Sequence, residues 1–522
     1  MARPGAGVPG EALADERWGK RTPARRAAPR LELALNSARV RDSRMIASTL
    51  GAIVVVGAGV FAGVRRFDGL YGQDAFAYFD YATGPLRHAL LTLEPWPPFF
   101  WPPGYPLLVS LASMLLGQTP LAGQLVSLLM GGVAAAFTYL LARELDLEGA
   151  AFAGLLVALC GQVWQSSVVV MSDTTGLATA TVGIWALARY ARRGVLAWLL
   201  LASLLLSYAT LTRWIYGLVA VPCAVYALAS LRHWQHAAAA LLVAVVVLVP
   251  TVAPGVAAVF GMHAADASFA GNFEVYSWSP LNAMRRDFFT ADGHLSYTLP
   301  NGLYYALLPG TPAYLGPLLA PLAAIGAIVG WRTWPRKSFL LIVGWAAIVF
   351  AFHAGAPWQN IRFALAYLPP LAILAGAGLA AAWRSLGGRR VYLAAYAAVG
   401  LLVMLVGGVR LMQGFIDRKN DDLALVSWIN SQVPADAQLL SFGPTLTLQH
   451  YGAAPTLDMY EIQPTELAGV LTRPTYVLLD ESNVEQQWLG QTPDTDYRAL
   501  RDGPGLALVG TRSGLSLFRV QQ

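Results

Sequence analysis

The chain has 522 residues, of which 56% are hydrophobic and 13% are charged, and its mean hydropathy is +0.50. Soluble globular proteins carry about 25% charged residues, so this composition excludes a soluble protein and is typical of a polytopic membrane protein. The net charge of +6 could favour nucleic-acid binding, but the basic residues stand in short clusters between apolar segments. That pattern reflects membrane topology.

The first 45 residues are polar and basic. They contain ten Lys or Arg and five Asp or Glu, together with many Pro, Ala and Gly residues. This segment is too long and too polar for the start of a signal peptide, and its composition is typical of disorder. We therefore predict a disordered cytoplasmic tail over residues 1–45. The uncharged residues 46–64 follow as a first span, which requires about 20 apolar residues.

Ten further uncharged segments are predicted to span the membrane, which gives about eleven transmembrane helices. They lie at 119–142, 149–171, 174–188, 194–212, 214–231, 237–262, 312–331, 338–356, 363–383 and 391–409. A shorter apolar segment, 103–118, overlaps the proline-rich sequence WPPGYP at residues 101–106. Its length and its prolines favour an interfacial or half-embedded helix over a span.

The basic residues set the orientation. If 103–118 does not cross the membrane, every cytoplasmic loop carries Arg or Lys, as the positive-inside rule requires. These residues are Arg143, Arg189, Arg192, Arg193, Arg232, Arg332, Arg336, Lys337, Arg384, Arg389 and Arg390. If 103–118 did cross, all of them would lie outside. The sequence therefore predicts a multi-pass protein of the cell inner (plasma) membrane, with a cytoplasmic N-terminus.

This topology places several polar regions outside the membrane: the loops 65–118 and 263–311, the turn 170–173, and the chain after about 410. Residues 411–522 have a soluble composition, with a helix predicted at 421–433, strands at 438–442 and 475–480, and a hairpin at 505–520. We predict an all-α polytopic domain over 46–410 and a small extracytoplasmic α/β domain over 411–522.

Three aspartates are candidates for chemistry because ionisable groups at the edge of a span are costly and are therefore often functional. Asp74 closely follows the first span, and Asp173 lies at the outer mouth between two spans. The alternative for Asp173 is a helix N-cap, where Asp is favoured. Asp80 is a weaker candidate, and for it a loop carboxylate without a special role is the competing interpretation.

Two arginines depart from the positive-inside pattern. Arg213 and Arg362 lie at the outer ends of spans, where a basic side chain requires a partner. A guanidinium group suits phosphate oxygens, so an anionic substrate group is one interpretation. A carboxylate partner such as Asp173 is the alternative.

Five short motifs follow one another along the chain. They are Gly72, Asp74 and Tyr78 in the first outer loop, Pro102-Pro103-Gly104-Tyr105-Pro106, Ser172-Asp173 after the third span, Leu211-Thr212-Arg213, and Arg362-Phe363 with Pro369-Pro370. Their order resembles that of the GT-C glycosyltransferases, particularly bacterial protein mannosyltransferases and the aminoarabinose transferases of lipid A. The resemblance covers roughly residues 46–410. One departure is Ala75, where many relatives have a second acidic residue.

The resemblance implies a membrane glycosyltransferase that moves a sugar from a polyprenyl-phosphate donor to a hydroxyl of a cell-envelope glycan, lipid or protein, with inversion. No nucleotide is available outside the cell membrane, so the activated sugar arrives on a lipid. Asp74 would act as general base, and Asp173 would orient hydroxyl groups. Arg213 and Arg362 would stabilise the charge that develops on the leaving phosphate.

Further candidate substrate contacts are Asp80, Tyr78, Trp101, Tyr105 and His353. Trp101 and Tyr105 either stack on a sugar or lie at the lipid headgroups. His353 either contacts the substrate or is a core residue. No specific cofactor is expected from the sequence. A divalent metal is an open alternative, although no ligand motif supports it. The expected partners are the polyprenyl-phosphate donor, the hydroxyl acceptor and membrane lipids, but no nucleic acid.

Two other protein classes fit the composition. A lipid or solute transporter or flippase should show internal repeats and correspondingly broken helices, which the sequence does not show. A non-catalytic scaffold of envelope assembly has no need for acidic and arginine side chains gathered at one face. Convergence of Asp74, Asp173, Arg213 and Arg362 on one cavity would therefore favour the enzyme.

Overall fold

The computed structural model describes residues 28–259, 277–290, 292–463, 465–471 and 473–521. Its apolar region contains the helices α1 (Ala28–Val64), α2 (Gln73–Thr83), α3 (Pro85–Thr92), α4 (Gly104–Leu116), α5 (Pro120–Glu144), α6 (Ala150–Ala158), α7 (Gly161–Val168), α8 (Asp173–Arg193), α9 (Leu196–Thr212), α10 (Ile215–Leu228), α11 (Trp234–Val259), α12 (Asn301–Leu307), α13 (Gly316–Thr333), α14 (Arg336–Gly355), α15 (Leu368–Ser385) and α16 (Arg390–Gln432). Four 3₁₀ helices occur at Pro280–Met284, Leu308–Gly310, Ile361–Tyr367 and Gly387–Arg389.

The N-terminal part of the predicted tail, residues 1–27, lies outside the described residues, as do residues 260–276, which include the start of the predicted outer loop 263–311. α1 begins at Ala28, so the last part of the predicted tail is helical. Leu, Ala, Arg and Glu predominate there, and these residues favour a helix. The described part of the 263–311 loop contains the short hairpin β1 (Asp287–Thr290) and β2 (Gly293–Ser296).

Each of the eleven predicted spans coincides with a helix or, in one case, with a pair of helices. Among the described residues, six helical segments are long and apolar enough to cross a membrane, and they involve α1, α5, α11, α14, α15 and α16. The bent pair α6 and α7 makes a seventh. The remaining predicted spans correspond to α8, α9, α10 and α13. The structure thus confirms a mostly helical, multi-pass membrane protein and supports up to seven spans by length and composition.

The predicted span 149–171 is not one straight helix, because α6 and α7 meet at an angle of 52°. The break at Cys160 frees backbone groups, and the N–H of Gln162 donates to the carbonyl of Ala313 over 2.9 Å. A Cβ atom at Gly161 would lie 2.4 Å from the Cα of Gly408, so α7 packs closely on α16. This kink leads the chain through α7 towards Asp173.

α4 is the helix predicted to lie at the interface. It has 13 residues, which corresponds to about 20 Å at 1.5 Å per residue and is shorter than a bilayer core of about 30 Å. A Cβ atom at Gly104 would lie 2.7 Å from both the carbonyl oxygen of Leu211 and the Oγ1 of Thr212. The hydroxyl of Tyr208 donates to the carbonyl of Gly104 over 2.5 Å. Two of the sequence motifs therefore touch, with α4 against the end of α9.

The C-terminal region is a mixed sheet with helices, as predicted. Its elements are β3 (Gln438–Ser441), α17 (Thr445–Tyr451), β4 (Thr456–Asp458), α18 (Leu467–Val470), β5 (Thr475–Leu479), α19 (Glu481–Gln486), α20 (Thr492–Asp502), β6 (Leu506–Arg512) and β7 (Leu515–Val520). The strand order is β4-β3-β5-β7-β6, with β3 parallel to β4 and β5, and with β7 antiparallel to β5 and β6. The predicted helix at 421–433 is the end of α16, which continues from the apolar region without a break.

A buried lysine joins this C-terminal region to the segment between α1 and α2. Lys419 of α16 has a side chain that is 4% exposed, and its Nζ donates to the carbonyl of Leu70 over 2.7 Å and to the hydroxyl of Tyr451 over 2.9 Å. Tyr451 in turn donates to Asp68. A buried charge is stable only when it is paired and hydrogen-bonded, and this network meets that requirement.

Candidate active site

α2 begins directly after a glycine whose backbone conformation few other residues adopt. Gly72 has φ 75° and ψ 156°, a region that is essentially restricted to glycine. Asp74 follows in the first turn of α2, where the helix dipole favours a negative charge. Its carboxylate forms an ion pair with Arg362, and the two side chains are 23% and 22% exposed.

Arg362 belongs to the 3₁₀ helix Ile361–Tyr367. The side chain of Asn360 caps this helix by accepting a hydrogen bond of 3.1 Å from the backbone N–H of Arg362. The Arg362 guanidinium also donates to the sulfur of Met171, just before α8. The guanidinium therefore lies between α2 and the segment that leads into α8.

A second ion pair joins Asp173 to Arg213. Asp173 is the first residue of α8 and Ser172 is its N-cap, so Asp173 does not take the capping position considered as its alternative role. The carboxylate partner considered for Arg213 is present. Asp173 is 3% exposed, and its Oδ2 has no hydrogen-bond partner among the described residues.

These residues converge on one cavity, which we call the Arg213–Arg362 cavity. It is lined by Asp173, Ile215, Tyr216, Leu365 and Ala366, together with Arg213, His353, Arg362 and Phe363. Asp74 reaches the cavity through its ion pair with Arg362. The open space is about 10 Å³, enough for about one water molecule. The four charged residues singled out in the sequence are therefore brought together, and the two ion pairs close the space between them.

His353 is a further buried polar group that lines this cavity. It is 5% exposed and stacks on the ring of Phe363 with centroids 4.9 Å apart. Within the described part of the chain, neither ring nitrogen has a hydrogen-bond partner. A buried polar group without a partner costs about 1–3 kcal/mol, so this nitrogen pair is suited to a ligand that supplies one.

Tyr78 holds α2 against the start of α8. Its hydroxyl lies 3.1 Å from the Oγ of Ser172, and its ring contacts that of Trp101 with centroids 5.3 Å apart. Burial raises the pKa of Tyr78 to about 12, and the charge of Arg213 opposes this rise. Tyr78 is therefore protonated at neutral pH and joins the Gly72–Tyr78 motif to the Ser172–Asp173 motif.

Tyr105 is a core residue and does not face a substrate. It is fully buried, and its hydroxyl donates to the carbonyl of Gly123 over 3.0 Å and lies 2.9 Å from the Oγ of Ser127. Neither a sugar contact nor a headgroup contact fits this position, because its hydrogen bonds are made inside the protein. Trp101 is half-buried, and Asp80 is exposed and does not line the Arg213–Arg362 cavity.

A divalent metal does not fit the residues at this site. Among the described residues, no group of three or more His, Cys, Asp and Glu side chains lies close enough to hold a metal ion. Asp74 and Asp173 each engage an arginine instead. The reaction proposed below therefore contains no metal-dependent step.

The sequence did not predict that Asp74 pairs with Arg362, or that Phe363 contacts both arginines. The Phe363 ring lies 5.6 Å from the Arg213 guanidinium and 5.7 Å from that of Arg362, within the range of cation–π contacts. Phe363 is adjacent to Arg362 in a motif already noted, which is the only signal that could have identified it. Met171 gave no signal, since a methionine at the end of an apolar segment is usual.

Part of the chain matches a known family model. Residues 101–256 match the model described as Dolichyl-phosphate-mannose-protein mannosyltransferase. No curated protein sequence matches the chain significantly. The matched residues include Asp173 and Arg213 but not Asp74 or Arg362.

Solved structures share the fold over most of the chain. ArnT from Cupriavidus metallidurans bound to undecaprenyl phosphate matches with a TM-score of 0.59 and 16% identity, covering 90% of this chain and 97% of ArnT. The apo form of the same protein matches with a TM-score of 0.58 and the same identity and coverage. The Archaeoglobus fulgidus oligosaccharyltransferase matches with a TM-score of 0.50 and 13% identity, covering 83% of this chain and 68% of that protein.

The fold is thus that of a multi-pass membrane protein and is shared with the ArnT and oligosaccharyltransferase structures. The resemblance to the GT-C glycosyltransferases, which the order of the five motifs indicated, is confirmed. At these identities the structural matches establish the fold alone. The residues of the site are the basis for the reaction proposed below.

Proposed function

We propose that this protein is a glycosyltransferase that moves a sugar from a polyprenyl-phosphate donor to a hydroxyl of a cell-envelope glycan, lipid or protein, at the outer face of the membrane. The observation that supports this most directly is that Asp173, Arg213 and Arg362 line one cavity, and that Arg362 pairs there with Asp74. Acidic groups can accept protons and guanidinium groups can hold phosphate, so the arrangement contains both parts of the reaction.

Asp74 is the general base in this proposal. The acceptor oxygen attacks the anomeric carbon while its proton passes to Asp74, and the bond between that carbon and the donor phosphate oxygen breaks. The polyprenyl phosphate leaves with the bonding electrons. A single displacement of this kind inverts the configuration at the anomeric carbon.

Arg213 and Arg362 stabilise the leaving phosphate, whose negative charge grows as the bond breaks. In the structure, both arginines are paired with aspartates. A donor phosphate competes for Arg362 and thereby releases Asp74 to accept a proton. The ring nitrogens of His353 and the Oδ2 of Asp173 lie at the same cavity and have no hydrogen-bond partner among the described residues. The imidazole suits a hydroxyl or phosphate group of the donor, and the Asp173 carboxylate suits a hydroxyl group.

The test is sugar transfer by the purified full-length protein. Polyprenyl phosphate carrying a radiolabelled sugar is incubated with detergent extracts of cell envelopes, and label in a new product is measured. Transfer that is lost in Asp74→Asn and retained in Asp80→Asn supports the proposal. Movement of intact labelled lipid across vesicles without any transfer would support a flippase instead.

A further inference from the structure

A second and larger cavity lies next to the first turn of α2. It has an accessible volume of about 370 Å³, within the range of about 300–1,000 Å³ that is usual for ligand pockets. We call it the Asp421–Asp422 cleft. Its walls come from the first outer loop, from α16 and from the C-terminal region, and they include Gln73, Phe76, Asp421, Asp422, Thr447 and Ser513.

The charge of this cleft is unlike that of the Arg213–Arg362 cavity. Asp421 and Asp422 lie side by side, and none of the described residues that line the cleft is Lys or Arg. Two cations lie nearby: Lys419 is engaged with Leu70, Tyr451 and Asp68, and the Nε of Arg418 donates to the carbonyl of Gly414. Two carboxylates repel a phosphate and accept hydrogen bonds from hydroxyl or amino groups. The cleft therefore suits a neutral or amino-bearing sugar, and it does not suit the donor phosphate.

The wall of the cleft also contains polar and aromatic groups of the kinds that bind carbohydrates. Thr447 and Ser513 supply hydroxyls, and Gln73 supplies an amide that both donates and accepts. The half-buried ring of Tyr71 lines the cleft and is held edge-on by Phe415 with centroids 4.6 Å apart. A fixed ring of this kind offers an apolar surface to a sugar.

The proposed base, Asp74, adjoins the cleft in the chain and contacts an arginine of the other cavity. Gly72 and Gln73 line the cleft, Asp74 follows in the chain, and its carboxylate pairs with Arg362 of the other cavity. A displacement reaction requires acceptor and leaving group on opposite sides of the reacting carbon. We propose that the Asp421–Asp422 cleft binds the hydroxyl-rich, non-anionic sugar end of the acceptor and delivers its hydroxyl to Asp74. This inference rests on the function proposed above.

The first test separates acceptor binding from donor binding by kinetics. In Asp421→Asn/Asp422→Asn, the KM for the neutral fraction of a cell-envelope extract should rise about tenfold or more, while the KM for the polyprenyl-phosphate sugar stays the same. The matched control is Asp436→Asn, an exposed carboxylate that does not line the cleft. An unchanged acceptor KM in the double variant, or an equal rise in the control, overturns the proposal.

The second test measures occupancy without turnover. The two native cysteines are buried, so a cysteine introduced at Ser513 should react selectively with a maleimide, and Ser427→Cys on the exposed side of α16 is the control. The neutral extract fraction should slow labelling at position 513 at least threefold and leave position 427 unaffected, whereas polyprenyl phosphate should protect neither. If the wild-type protein transfers no sugar, the proposed function is wrong. Protection of the cysteine at position 513 still shows whether the cleft binds the neutral fraction. No protection at 513 contradicts it.

Discussion

Asp74 and Arg362 form an ion pair although 288 residues separate them in the chain. The pair joins the first turn of α2 to the 3₁₀ helix Ile361–Tyr367, which precedes α15. It brings the proposed base into contact with a proposed phosphate-binding group. In the proposed mechanism, a donor phosphate would therefore control the base, because the phosphate and the Asp74 carboxylate require the same guanidinium.

Replacing the base should abolish most of the chemistry without unfolding the protein. Asp74→Asn keeps the shape of the side chain but removes its ability to accept a proton, so turnover should fall by about 10²–10⁴-fold. Asp80→Asn on the same helix is the matched control and should stay near wild-type activity. Transfer rates with a labelled donor measure both, and near-normal turnover in Asp74→Asn removes Asp74 from the role of base.

The arginines should affect donor binding and the transition state together. A charge-assisted contact contributes about 1.5–3 kcal/mol, so Arg213→Ala and Arg362→Ala should each lose about ten- to a hundredfold in kcat/KM for the donor. Lysine should restore only part of this loss, because an ammonium group lacks the bidentate fork of guanidinium. Arg285→Ala, on an exposed part of the outer loop, is the control.

A double variant distinguishes a phosphate site from a structural ion pair. If Arg213 serves only to balance Asp173, Arg213→Ala combined with Asp173→Ala should recover the activity that each single change destroys. If both residues contact substrate, the double variant should be no more active than either single variant. The measurement is donor turnover in the wild type, the two single variants and the double variant. Recovered turnover in the double variant would contradict the phosphate-binding role of Arg213.

Gly72→Ala should destabilise the start of α2. A Cβ atom at Gly72 has open space around it, so the cost comes from the backbone conformation and should be about 1–3 kcal/mol. Gly63→Ala in α1 also meets open space and has an ordinary helical backbone, so it should be neutral or stabilising. The midpoint of thermal unfolding in detergent measures the stability of both variants. Equal midpoints for Gly72→Ala and Gly63→Ala would contradict this prediction.

The predicted topology can be tested in intact cells. Cysteines introduced at Gln73 and Gln491 should react with a membrane-impermeant maleimide, because both positions are predicted to lie outside. A cysteine at Arg332 should be protected until the membrane is permeabilised. The native Cys160 and Cys223 are buried and should contribute little background. Protection of position 491 would overturn the orientation derived from the positive-inside rule.

Some features of the fold are readable from the sequence because they depend on neighbouring residues alone. Each apolar segment of about 20 residues favours the bilayer by the sum of its own side chains, and the strands and closing hairpin of the C-terminal region follow from local alternation. The kink between α6 and α7 was not predicted. It depends on Ala313, which satisfies the freed backbone N–H from another part of the chain.

The sequence by itself identified four charged residues next to predicted spans as functional candidates: Asp74, Asp173, Arg213 and Arg362. This was possible because the free-energy cost of a charge near the bilayer depends only on the neighbouring residues in the chain. Only the tertiary structure decided that they form two ion pairs around one cavity, that Tyr105 is a core residue, and that Asp421 and Asp422 face a cleft beside the base. These relationships are contacts between segments that lie from about 20 to more than 300 residues apart in the chain. They depend on how the helices pack, which no local pattern of residues specifies.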